Sequence, residues 1–520
     1  MRWLPCLLLL AVGSAHPEDS TCEVDDEAVF LQKSLVLVSE PVHLQGAGNT
    51  TQEQRTLVAL VQAVAETTVP LPAWLCSGVL LVVFVILLQE VLVAPGLVRP
   101  ALAPPSGALS QAIFVWMWVC TFAASSVVMP VAFDFAIAVG HGAVLSGFLL
   151  SAGALGSALG LLAGASCVCE DAWDQPAARR LCVWAGLLTS AIQLLEACVA
   201  QSALFPGGGL WLLLALRQGE AFSAGFALAP ALAMQRRIAG ETGSTMVQFS
   251  RSLGSAAGPV LLLLGVSSGL PSGLPQAFAL AALVSLASAA LCSLVLPQTL
   301  PVPAAAAPVK ELEMDAGARK QLVSWISCFF MVRPFVTAGA EAATMLILEV
   351  GYGWSAVTSG LSISLASLAS LLFAPLGADS PTRESMVFMT CAALSLLGCA
   401  LVFDLKALGV GGLLVGDILL QSTAVPASAI AERWAKRAAA PNSTWSPSSF
   451  HLAALGSSSL SRFLAPPLVR ALLVQGGRNP YGLLQLVLLT AAGYIAVRSC
   501  SLFWGMKAAS PKREPKMPAQ

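Results

Sequence analysis

Apolar and polar positions alternate along this chain on the scale of a whole bilayer. Between Trp74 and Trp504, thirteen apolar stretches of membrane-spanning length follow one another, parted by short polar gaps. Inside lipid a backbone must satisfy its own N–H and C=O groups, so the pattern predicts an all-α membrane protein. One span, about 74–94, stands apart and is followed by a linker holding Pro95, Pro100, Pro104 and Pro105. Twelve more are placed at about 111–138, 142–166, 181–205, 209–234, 244–267, 274–296, 321–348, 355–376, 384–403, 407–431, 447–474 and 481–504. A Pro/Ala-rich stretch ending in charges, 297–320, parts the sixth of these from the seventh. Six and six about a longer central linker predicts two related six-helix halves, 111–296 and 321–505.

Charge placement assigns the sides. With the front of the chain lumenal, the cytosolic segments hold Arg99, Arg179, Arg180, Arg236, Arg237, Lys310, Arg319, Lys320, Arg383, Arg433, Lys436, Arg437, Lys507, Lys512, Arg513 and Lys516. The six opposite loops of the twelve-span core hold Lys406 and Arg478 alone. Cytosolic loops concentrate Lys and Arg, so this orientation is predicted, with 506–520 as a basic cytosolic tail. Residues 1–15 read as a secretory signal: Arg2, the apolar run Leu4 to Val12, then Gly13, Ser14 and Ala15. Cleavage before His16 and a short retained anchor are the alternatives. Residues 16–73 carry nine Asp/Glu against Lys33 and Arg55, which predicts a largely disordered acidic lumenal tail. Asn49-Thr50-Thr51 is a glycosylation sequon on that side, whereas the sequon at Asn442 falls on the cytosolic side and stays unmodified.

Composition narrows the classes. The chain is 57% hydrophobic and 11% charged, with mean hydropathy +0.79. Water-soluble domains carry about 25% charged residues, which excludes that class. No basic patch with interleaved aromatics points to nucleic acid. No phosphate-cradling Gly loop with Lys, no His/Asp/Ser set and no metal-ligand spacing appears, so no enzymatic activity, cofactor or metal is expected. The 13 Cys are mostly scattered singly, as apolar fillers are.

The candidate chemistry lies in charges within the spans. Each costs about 2.5–3.5 kcal/mol on insertion scales, so an intramembrane charge is a functional candidate or half of a structural pair. Arg217, Arg333 and Arg462 are the candidates for substrate binding, since arginines facing one cavity from both halves make a fork for an anion. Arg217 and Glu220, three apart, can pair along their helix. Asp134, Glu196, Glu220, Glu341 and Asp417 are the candidates for carrying a coupling proton. Arg251, Arg470 and Arg498 are further charges, the last two expected to snorkel or pair. Gly254-Ser-Ala-Ala-Gly258-Pro259 in the fifth span permits close helix approach, and Pro259 removes one backbone bond. It reads either as a packing face or as a gating motif.

Several stretches resemble one family. Val128-Met-Pro-Val-Ala-Phe-Asp134-Phe resembles the first helix of the SPX-linked branch of the major facilitator superfamily and its lysosomal relatives. Arg217 with Ala221, Ser223, Ala224 and Gly225 is similar to its fourth helix, and Gln235-Arg236-Arg237-Ile238 with Glu241-Thr242-Gly243 to the following loop. Glu341 to Ser355 and Ser459 to Arg462 are similar to its seventh and eleventh helices. Gly254, Gly258 and Pro259 look like the antiporter-type motif of facilitator transporters. The loop motifs after the second and eighth spans are degenerate, and there is no SPX domain, so inositol-phosphate sensing is not implied. The resemblance implies a major facilitator-type bundle with one extra N-terminal helix, rocking about a midplane site to move a small inorganic anion such as phosphate or chloride. A proton-coupled carrier of organic solutes, and a non-transporting receptor or scaffold on the same fold, are the alternatives. The expected partners are the lipid bilayer, a small solute and protons, with the chain acting as a monomer in an endomembrane or the plasma membrane.

Overall fold

The computed structural model describes residues 107–138, 141–167, 176–201, 209–239, 243–266, 273–295, 315–373, 381–405, 408–439 and 447–504. The expected signal segment, acidic tail with Asn49, isolated span at 74–94 and basic tail lie outside the described residues. The described residues form helices α1 (Gly107–Ser126), α2 (Ala132–Ala138), α3 (Ala143–Cys167), α4 (Pro176–Gln201), α5 (Gly209–Ala239), α6 (Gly243–Val266) and α7 (Gly273–Val295). They continue with α8 (Ala316–Leu346), α9 (Ala356–Phe373), α10 (Pro381–Val402), α11 (Gly409–Ala438), α12 (Pro447–Gly476) and α13 (Arg478–Trp504). Eight helical stretches among them are long and apolar enough to cross a membrane. The helices outside that set include α5, α6 and α12, which carry Arg217, Arg251 and Arg462.

Three local features depart from the sequence expectation, and two of them have identifiable causes. The first span is not one helix: α1 ends at Ser126, and a 3₁₀ turn, Met129–Val131, leads into α2. Pro130 has no N–H to continue the ladder. The central linker is shorter than 297–320, because α8 begins at Ala316. Asp315 caps it, its side chain accepting from the Gly317 N–H at 3.0 Å. At the other end of α8 the chain widens into a π turn, Ile347–Gly351, before α9. Pro334 sits inside α8 without ending it.

The bundle is turned inside out relative to a soluble protein. Trp211, Leu188, Leu365 and Met386 face outward, while Glu196, Arg217, Asp417 and Arg470 are buried. Packing repeats between the halves. In the first, α1 packs on α6, α3 on α5 and α4 on α7; in the second, α8 packs on α12, α9 on α11 and α10 on α13. Each pair has its counterpart at the same place in the order, as internal repeats require. The halves meet along two seams, α3 with α12 and α6 with α9. Gly254 and Gly258 bring α6 against α1, where a Cβ on Gly254 would lie 2.6 Å from the Val119 carbonyl oxygen and one on Gly258 would overlap the Ser126 hydroxyl.

The second half has an aromatic core around Trp434. Its ring stacks on Phe503 at 4.4 Å and meets Phe388 edge-on at 5.3 Å. Its indole N–H donates to Glu384 Oε2 at 2.7 Å, and Glu384 also pairs with Arg433 at 3.3 Å and Arg437 at 3.1 Å. Trp434→Phe keeps most of the ring and deletes that donor. Glu384 keeps its two arginines. The expected cost is therefore that of one hydrogen bond to a charged group, about 1.5–3 kcal/mol, read as a lower unfolding midpoint of purified protein in detergent.

Candidate functional site

Helices α1, α3, α5 and α6 of one half and α8, α11 and α12 of the other enclose a cavity of about 190 Å³. Six charged side chains reach its wall: Arg217 and Glu220 from α5, Arg251 from α6, Glu341 from α8, Glu432 from α11 and Arg462 from α12. The rest is mainly apolar, with Trp118, Phe122 and Phe330 as its largest surfaces. Its residues extend from mid-depth toward the helix ends that carry Arg179, Arg319, Arg383 and Arg437.

At the opposite end the halves close on each other. A Cβ on Gly147 of α3 would lie 2.7 Å from Pro467 Cα of α12, and one on Gly360 of α9 would lie 2.6 Å from Pro130 Cγ. Arg470 of α12, wholly buried, donates through Nη1 to Ser146 Oγ of α3. The α6–α9 seam carries hydroxyl contacts instead: Ser364 donates to the Ala256 carbonyl at 2.8 Å, and Ser370 to Ser252 Oγ at 2.7 Å.

The predicted arginines do not converge as a set of three. Arg462 lines the cavity, and its Nε and Nη2 have no hydrogen-bond partner. Arg217 also lines it but is held by Glu220 Oε2 at 2.5 Å, with its guanidinium over the Phe278 ring at 5.6 Å. Arg333 points elsewhere. It is 3% exposed and donates through Nη2 to the Leu420 carbonyl at 2.8 Å and Thr423 Oγ1 at 2.7 Å, so it ties α8 to α11. Mid-depth position in α8 does not fix direction, because most faces of that helix are buried against neighbours.

The carboxylates divide similarly. Glu220 and Glu341 are on the cavity wall. Glu341 stands beside Gln421 and faces Arg251 across the α6–α8 gap. Glu196 lies behind the wall, wholly buried, 4.0 Å from Arg217 Nη1. Asp417 is buried away from the cavity, beside Thr344. Asp134 is exposed on α2 and does not line the cavity. Gly254, Gly258 and Pro259 do not line this cavity; Pro259 abuts the Gly360 position, 3.2 Å from a Cβ placed there.

Glu432 escaped the sequence reading. It stands in the run Glu432-Arg433-Trp434-Ala435-Lys436-Arg437 at the end of a span, which looks like a loop anchor; the structure pairs it with Lys436 at 2.7 Å and leaves it on the cavity wall. Gln193 also escaped. Its position three residues before Glu196 on α4 was the available signal, since i, i+3 residues share a helix face.

No family model matches the sequence, and no curated protein aligns with it. Solved structures do match. The human organic anion transporter TETRAN aligns over 75% of this chain and 100% of its own at 16% identity, with a TM-score of 0.54. A bacterial homologue of the human lysosomal transporter Spinster, inward-facing and unoccupied, aligns over 78% of this chain and 98% of its own at 12% identity and TM-score 0.54. A POT family transporter in complex with 5-aminolevulinic acid aligns over 76% and 96% at 14% identity and TM-score 0.55. The chain has the fold of these transporters.

Proposed function

We propose that the chain is a secondary transporter of the major facilitator type, carrying an organic solute with an anionic group by alternating access. One observation carries this reading: Arg462 faces a cavity between the two halves with unpartnered guanidinium nitrogens. An unpaired arginine in a low-dielectric cavity is costly unless an anion occupies it. The apolar wall around it suits a carbon skeleton, and Arg251 and Glu341 on the same wall offer both signs to a second polar group.

An inorganic anion, the substrate class implied by the resemblance to the SPX-linked branch, needs a surplus of donors and little apolar surface. Here three arginines on the wall are balanced by three glutamates. The organic reading fits better, and the names of the matched structures, an organic anion transporter and a carrier crystallised with 5-aminolevulinic acid, agree with it. With basic loops cytosolic, the cavity is open toward the cytoplasm and closed on the lumenal side.

The test is uptake into proteoliposomes of labelled benzoate, 5-aminolevulinic acid, phosphate and chloride, with counterflow as the readout. Saturable counterflow of either organic acid is expected. Counterflow of phosphate or chloride alone replaces the organic reading with the inorganic one, and counterflow of none overturns transport of these classes. Arg462→Gln should weaken binding of the transported acid by about 1.5–3 kcal/mol, the range for hydrogen bonds to charged groups. That is roughly tenfold or more in half-saturation concentration.

A further inference from the structure

Behind the cavity wall, α4 and α5 place two carboxylates around one guanidinium. Arg217 Nη1 lies 2.5 Å from Glu220 Oε2 and 4.0 Å from Glu196 Oε2. Gln193, three residues before Glu196, donates through Nε2 to Glu220 Oε1 at 2.6 Å. The second guanidinium nitrogen, Nη2, reaches the Ser125 carbonyl of α1 at 3.4 Å. Glu220 is therefore saturated, whereas both oxygens of Glu196, which is wholly buried, have no hydrogen-bond partner. Gln193 Oε1 is also unpartnered.

The charge balance does not close with both acids ionised. Two carboxylates against one arginine leave a net negative charge within the membrane, on a side chain with no donor to stabilise it. Of the helices packed on α4 and α5, α6 brings Arg251 to the same cavity wall, where it faces Glu341 instead. The described residues of α1, α3 and α7 carry no charged side chain, and the only other charged side chains described on α4, Arg179 and Arg180, are more than four turns away at its start. A proton on the carboxylate pair restores neutrality and gives one acid an O–H to donate, for which Gln193 Oε1 is an open acceptor.

We infer that Glu196 and Glu220 together form a proton-binding site whose occupancy sets whether Arg217 is free for the solute. Arg217 and Glu220 are on the cavity wall, and Glu196 is one layer behind. An anionic group that reaches Arg217 from the cavity competes with Glu220 for the same guanidinium. With one proton on the pair, the displaced Glu220 is neutral or leaves a neutral Glu196 beside it; with none, displacement leaves two anions side by side. Binding of the anion and of the proton therefore favour each other, and that reciprocity couples their movement. Glu196 acts through Glu220 and Arg217 and is a positioning residue, not a contact to solute. The coupling consequence rests on the transport reading above; the proton site itself does not.

Two measurements on the full-length purified chain separate these. Infrared difference spectra across a pH titration, with no solute added, should show the carbonyl stretch of a protonated carboxyl group disappearing as pH rises. The component of that band due to this pair is read as wild type minus variant, against a background that Glu341 and Asp417 contribute to every form. It should be lost in Glu196→Gln and equally in Glu220→Gln, since a single remaining acid is balanced by Arg217. It should remain in Glu196→Asp, which keeps the second acid and controls for misfolding. A spectrum identical to wild type in either glutamine variant overturns the site. In proteoliposomes, an acidic outside bath should accelerate uptake of whichever organic acid the wild type transports, and the acceleration should vanish in Glu196→Gln. An acceleration that persists there overturns the coupling. A band that behaves as stated in a protein with no counterflow leaves the proton site standing and removes the transport reading.

Discussion

Gly160→Leu should yield no monodisperse protein in detergent, and Gly160→Ala should already lower the unfolding midpoint by several degrees. Gly160 is on α3 where that helix crosses α5, and a Cβ there overlaps the Phe222 carbonyl oxygen. Gly156, one turn away, meets the Gln218 carbonyl in the same manner, and Gly225 of α5 meets the Ser157 carbonyl from the other side. The obstacle at each point is backbone, which cannot rotate away. Overpacking costs typically 1–3 kcal/mol even where side chains can adjust, and more is expected where carbonyls of two helices must separate. The seam cannot widen freely, because α5 carries Arg217 on this stretch and its partners are on α1 and α4. Gly493→Ala is the matched comparison, since a Cβ at Gly493 meets nothing within 4 Å. Equal midpoints for the two alanine variants would refute the account of the seam.

Arg217→Leu should be equally damaging for an electrostatic reason. It removes the one cation between Glu196 and Glu220 and leaves Glu220 with Gln193 alone. Breaking a buried ion pair from one side costs about 3–5 kcal/mol, because the surviving charge stays buried and uncompensated. Neutralising the acids as well should restore the fold, since replacing a buried charged group as a whole by neutral residues is often neutral. The triple variant Arg217→Leu, Glu196→Gln, Glu220→Gln is therefore expected to elute and melt near the wild type while failing to transport. If the triple variant melts as low as the single one, the arginine's role is packing over Phe278 rather than charge.

The bundle was legible because lipid simplifies the code: a run of apolar residues of sufficient length has one available backbone solution. Many helix ends fall within three residues of the apolar runs, but α11 outlasts its run by seven residues and α5 by five. Charged residues such as Lys436 and Arg437 continue a helix past the apolar stretch; Asp315 starts α8 early and Pro130 splits the first span. The list of intramembrane charges was legible for the same reason, and Arg217, Glu220, Glu341 and Arg462 do reach the cavity. Direction was not. In a helix that is apolar on all sides, no polar stripe tells which face meets a cavity, so Arg333 could not be told from Arg462. Pairing across helices was hidden as well. Glu384 and Arg433 are 49 positions apart, and only the packing of α10 on α11 joins them. The close approach at Gly156 and Gly160 had a signal, the same four-residue spacing of small residues as at Gly254 and Gly258, but the glycine-rich stretch around it blurs the register.

The two seams between the halves differ in their polar contacts, and under the proposed transport reading that sets how the halves part. Along α6 and α9, where Pro259 also abuts Gly360, the polar contacts are serine hydroxyls on carbonyls and on one another, which can trade acceptors during a slide. Along α3 and α12 the contacts are prolines pressed on glycine and a buried arginine holding a serine, which part completely or not at all. If the halves rock as proposed, the serine side serves as a pivot and the arginine side as a clasp, so the end that is closed here should gape from one edge instead of lifting evenly.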